Sequence, residues 1–132
     1  MRQTLSSGHT VPRRQQEEHG LQLLLDLDGS IFEMGECYWV KIEARRVPPD
    51  TGRPNGIDYS LTLHSPAGDR LLGYDNAHGA NGPVGDPDRI SVPFDHTHRR
   101  TRALPYGYSD AATLLGDFWA DVEDILKEEG VP

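Results

Sequence analysis

The segment Asp95-His96-Thr97-His98-Arg99-Arg100-Thr101-Arg102 holds the densest set of reactive side chains in this chain of 132 residues. From Arg89 to Arg102, four arginines and two histidines stand against one aspartate. Arginine offers planar, bidentate donors to phosphate oxygens. An imidazole titrates near pH ~6.5, so it gives or takes a proton around neutrality. Two such rings can act as base and acid on a ribose 2′-hydroxyl and a leaving 5′-oxygen, while an arginine neutralises charge developing on the phosphate. That chemistry needs no metal. The plain alternative is an arginine-rich surface that pairs with acidic neighbours such as Glu128.

A second constellation, Tyr74-Asp75-Asn76-Ala77-His78, stands where a strand empties into a glycine-rich loop. Loops at strand ends commonly carry functional side chains. Asp75 can orient a histidine or hold an arginine, and Asn76 can donate to a phosphate. Equally, Asp75 and Asn76 can close the strand end with turn hydrogen bonds. A metal is a third use. His96-x-His98 places two imidazoles on one face of an extended segment, and Asp75, His78 or Asp95 can complete a set. No helical His-Glu-x-x-His and no cysteine pair supports it, so the expectation is a site without metal or other cofactor. Trp39 and Trp119 read as packing residues, with Trp39 also able to act as a stacking platform for a base. Cys37 has no activating neighbour. The acidic stripe Asp117, Asp121, Asp124 and Glu128 reads as a solvated helix face, or as a docking face for a basic partner.

These residues need elements to hold them. Met1 to about Gly20 reads as a polar tail, disordered or forming a short, loosely docked helix. Leu21, Leu23, Leu25 and Leu27 alternate with Gln22, Leu24 and Asp26, which is strand spacing, and Asp28-Gly29 follows as a turn. The run Glu36 to Val47 alternates again, so the pair reads as a hairpin. Ile57–His64 and Arg70–Asp75 read as a second hairpin across a Ser65–Asp69 turn. Ile90, Val92 and Phe94 form a short fifth strand, placed at an edge by Pro93. If that strand ran on unbroken, His96 and His98 would share the buried face of Phe94, so it must end at Asp95 or the sheet must overhang its helix. Ser109 is the expected N-cap of a helix whose apolar stripe is Ala111, Leu114, Leu115, Phe118, Val122, Ile125 and Leu126. The fold class is α+β. A single antiparallel sheet of about five strands is covered on one face by this C-terminal helix, with residues 21–132 as one domain.

Composition limits the functions available. Thirteen basic against 21 acidic residues give a net charge of −8, which rules out nucleic-acid binding through bulk charge. Fourteen glycines and ten prolines predict many turns and argue against a helical bundle. A single cysteine excludes an internal disulfide, so a reducing, cytoplasmic setting is expected. No apolar run is long enough to cross a membrane, and the N-terminus lacks the apolar region of a signal peptide.

The strings Gly56-Ile57-Asp58-Tyr59-Ser60-Leu61, Gly73-Tyr74-Asp75-Asn76-Ala77-His78, Asp95-His96-Thr97-His98-Arg99, Asp110-Ala111 and Asp117-Phe118-Trp119 resemble the TumE-like toxin family. The resemblance covers about residues 21 to 128. Tyr-Asp-Asn-Ala-His and Asp-His-x-His are its most specific parts. It implies the toxin of a toxin–antitoxin pair, with a helix-turn-helix antitoxin as partner. Some relatives carry a further histidine where this chain has Gly79. The combined expectation is a metal-independent endoribonuclease. His78, His96, His98 and Asp75 are its expected catalytic residues, and Arg89, Arg99, Arg100, Arg102 and Asn76 its expected substrate contacts. The alternative is a non-catalytic module that docks to protein or nucleic acid through the Arg/His patch. A homodimer through an edge strand is compatible with either.

Overall fold

A computed structural model describes residues 12–51, 53–76, 80–81, 90–91 and 95–132. The chain opens with α1 (Arg13–Asp26) and continues through β1 (Ser30–Glu33), β2 (Trp39–Arg46), β3 (Ile57–His64) and β4 (Arg70–Asp75). A small ribbon of β5 (Ala80–Asn81) and β6 (Ile90–Ser91) follows, then β7 (His96–Arg99), β8 (Arg102–Pro105) and α2 (Ala111–Glu128). Six strands form one antiparallel sheet in the order β1-β2-β3-β4-β7-β8. The α+β class and the single antiparallel sheet under a C-terminal helix are as expected, with one more strand in the sheet.

Alternation decides the two faces. Val40, Ile42 and Ala44 of β2, Ile57, Tyr59, Leu61 and Leu63 of β3, and Leu72 and Tyr74 of β4 are buried on one face. They meet all seven residues of the expected α2 stripe, together with Leu24 of α1. The opposite face carries no helix among the described residues. It presents Trp39, Lys41, Glu43, Ser60, Thr62, His64, Gly73 and Asp75, the intervening positions of β2 to β4.

The first element corrects the sequence reading. Leu21 to Leu27 belong to a helix and the turn that ends it, not to a strand. Residues 13–26 contain no β-branched side chain and are rich in Arg, Gln, Glu and Leu, all good helix formers. The i, i+4 contacts Arg13–Glu17 and Gln22–Asp26 reinforce that choice. Leu24 is fully buried, whereas Leu23 is 61% exposed, the reverse of what a Leu21/Leu23/Leu25 strand face requires. The helix passes without a break across residues 20 and 21, the boundary that the sequence reading set between tail and folded unit. A Cβ on Gly20 would stand 3.2 Å from Ala112, so this glycine lets α1 approach the first turn of α2.

Two further corrections bear on the site. Ile90–Ser91 pair with Ala80–Asn81 outside the main sheet, and Val92–Phe94 lie outside the described residues. The fifth strand of the sheet is instead His96–Arg99, which turns through Arg100-Thr101 into β8 at the edge. The N-cap of α2 is Asp110, one residue later than expected, with its Oδ1 accepting from the Thr113 N–H at 2.8 Å.

Candidate active site

Register sets the chemistry of the open face. β7 pairs with β4 so that His96 stands opposite Asp75 and His98 opposite Gly73. Residues i and i+2 of a strand share a face. Both imidazoles therefore lie beside Asp75 on the side away from the helices. His96 Nε2 is 2.8 Å from Asp75 Oδ1, and His98 Nε2 is 3.6 Å from Asp75 Oδ2. The two rings meet edge to face, with centroids 4.4 Å apart. His96 Nε2 is within hydrogen-bond reach of one carboxylate oxygen, whereas His98 Nε2 stands at ion-pair distance from the other. The side chains of Asp75, His96 and His98 are 13%, 16% and 22% exposed, so the cluster is sheltered but reachable.

Asp75 is held from both sides. Tyr74 packs edge to face on Phe118 and donates its hydroxyl to Asp121. Asn76 is buried; its Nδ2 donates to the Ile57 carbonyl at 2.7 Å and its Oδ1 accepts from the Tyr59 N–H at 3.1 Å. These contacts fix the backbone on either side of the carboxylate. They also engage both ends of the Asn76 amide, expected as a substrate contact, with the backbone of β3.

Arg70 is the residue that sequence reasoning missed. The position where a Gly73 Cβ would stand is 3.4 Å from Arg70 Cδ and 3.5 Å from Arg70 Nη1. The guanidinium therefore folds over Gly73, next to its cross-strand partner His98. A glycine inside a strand signals close approach by another group, and that was the available cue. Burial lowers the pKa of His98 below the usual histidine range, with Arg70 and His96 acting in the same direction and Asp75 opposing them. A neutral imidazole beside a cation can accept a proton from a hydroxyl whose neighbouring phosphate the cation holds.

The arginines of the 99–102 segment are elsewhere. Arg99 alternates onto the helix side of β7, with Nη2 3.5 Å from Asp121 Oδ1. Arg100, at φ 55° in the β7–β8 turn, reaches Glu129 at 2.9 Å and Glu128 at 3.3 Å. Arg102 is exposed on the edge strand opposite Arg99. The geometry thus brings Asp75, His96 and His98 together and separates them from Arg99 and Arg100. His78 and Arg89 lie outside the described residues. The acidic stripe is likewise partly used within the fold, since Tyr106 donates to Asp117 at 2.7 Å and Arg100 takes Glu128.

Asp75, His96 and His98 are also the described residues that could hold a metal ion, with one ligand atom from each all within 4.8 Å of one another.

A family model described as Toxin TumE matches residues 3–126, nearly the whole sequence. The chain belongs to the TumE toxin family. Membership gives it a toxin role, and with that an antitoxin as its partner. The match begins well before residue 21 and so takes in the whole of α1, of which the resemblance on sequence strings had covered only the part from residue 21. Comparisons with curated proteins and with solved structures return no match. No described helix of this TumE-family chain is long and apolar enough to cross a membrane.

Proposed function

We propose that this toxin cuts RNA, as a metal-independent endoribonuclease, on the helix-free face of its sheet. The observation that carries the reading is the convergence of His96, His98 and Asp75, with Arg70 beside them. His98 takes the proton of a ribose 2′-hydroxyl, and the resulting alkoxide attacks the adjacent phosphorus. His96, oriented by Asp75, gives a proton to the departing 5′-oxygen. Arg70, in place of the arginines of the 99–102 segment, neutralises the charge that develops on the phosphoryl oxygens. The products are a cyclic phosphate and a free 5′-hydroxyl. Trp39 stacks on His64, with centroids 4.0 Å apart, on the same open face, which supports a polynucleotide rather than a small phosphodiester as substrate.

The test is expression of the chain with and without its antitoxin, followed by analysis of total RNA. RNA is expected to be cut only when the antitoxin is absent. Purified protein is expected to cut in the presence of EDTA, and His98→Ala to slow cutting by roughly 10²–10⁴-fold, the usual contribution of a general base. Intact RNA under wild-type growth arrest would refute the reading. The docking alternative has less support, because the Arg/His patch it requires is divided between two faces. The helix-turn-helix type of the antitoxin and a cytoplasmic location are carried over from the resemblance and composition. Sheet edges β1 and β8 offer the route to a homodimer.

A further inference from the structure

We infer that Asp75, His96 and His98 form a binding site for one divalent transition-metal ion of the Zn²⁺ kind, and that occupation of this site shuts off the acid–base chemistry. The ion site stands on geometry alone. Only its inhibitory consequence rests on the RNA-cleavage reading.

The three donors come from two adjacent strands in fixed register, so little ordering remains for binding to impose. A tetrahedral ion with bonds of about 2.0–2.1 Å sets its ligand atoms about 3.3–3.4 Å apart. One ligand atom from each residue lies within 4.8 Å of the other two, so the three donors already converge on one point. Side-chain rotations that draw these three atoms together would seat the ion. Two imidazoles and one carboxylate suit Zn²⁺, Co²⁺ or Ni²⁺; Mg²⁺ and Ca²⁺ prefer oxygen throughout. Three protein ligands leave a coordination position for water or substrate oxygen. A ring that ligates the ion through Nε2 carries its remaining proton on Nδ1, and a doubly protonated ring must first release one. In that state the ring can neither accept the ribose proton nor supply one to the leaving oxygen. The same two rings cannot serve both purposes. Arg70 opposes the ion by charge, so it tunes the affinity downward.

The experiment uses the full chain, stripped with EDTA and dialysed, and titrated with Co²⁺ while the visible absorption is recorded. One equivalent is expected to give the intense bands of a four-coordinate ion, displaced by Zn²⁺. His98→Ala and Asp75→Asn are expected to weaken binding at least about tenfold, since even outer partners of a metal ligand are worth that much. Arg70→Gln is expected to tighten it, and His64→Ala to leave it unchanged. Circular dichroism of each variant separates lost binding from lost fold. Absence of a one-to-one Co²⁺ signal from the wild type would overturn the site, as would a signal insensitive to folded His98→Ala. In the RNA assay, Zn²⁺ is expected to stop cleavage and EDTA to restore it. Undiminished cleavage by Zn²⁺-saturated protein would overturn the inhibition. Cleavage abolished by EDTA would overturn both the metal-free mechanism and the inhibition, and leave the ion site standing.

Discussion

At the residue scale, two neighbours have opposite functions although both looked like site residues. Asp75 projects from the open face to the histidines, while Asn76 turns inward and closes the end of β3. Strand alternation separates them, and each should fail in its own way. Asn76→Ala leaves the Tyr59 N–H and the Ile57 carbonyl without their partner in a buried place. The expected loss is about 1–3 kcal/mol of stability, read by denaturant unfolding. Asp75→Asn should keep stability near wild type and lose cleavage. If Asn76→Ala unfolds at the wild-type denaturant concentration, the structural role assigned to it is wrong. The side chains were visible in the sequence, but the direction in which each points was not. That follows from the pairing of β4 with β7, whose register the sequence does not reveal.

The terminal helices show how far local patterns reach. The apolar stripe of α2 was legible because seven residues at steps of three and four fit no other regular element. For α1 the alternation of leucines competed with helix propensity, and propensity with burial of Leu24 prevailed. Leu24→Ala tests whether α1 belongs to the core. An expected loss of about 2–5 kcal/mol marks a true core position, whereas a docked tail would give almost none. At the head of α2, the Thr113 N–H donated to Asp110 lowers the pKa of that carboxylate below the usual range. A depressed folded pKa means that the stabilisation is present above the unfolded value near pH ~3.9 and fades as pH falls through the folded one. Asp110→Ala should therefore cost about 1 kcal/mol at pH 7. The gap in melting temperature between it and the wild type should close in acid. A gap that stays constant down to pH 2 would show that the charge is not what the cap contributes.

The whole molecule separates what the sequence placed side by side. Arg99 and Arg100 follow His98 directly, yet they cross to the helix face and meet the acid-rich end of α2. The sequence showed a basic cluster and an acidic stripe. Their mutual neutralisation, and the placing of Arg70 beside the histidines where Arg99 and Arg100 had been expected, required the sheet. Gly73 makes that substitution possible by lying under Arg70 without a side chain. The central claim is that function resides on the open face and not on the arginine-rich turn. The most direct measurement compares RNA cleavage by the wild type, Arg70→Gln and Arg100→Ala, each confirmed as folded. The open-face account predicts that Arg70→Gln loses most of the rate while Arg100→Ala keeps it. The opposite ranking, with Arg100→Ala inactive and Arg70→Gln unimpaired, would contradict it.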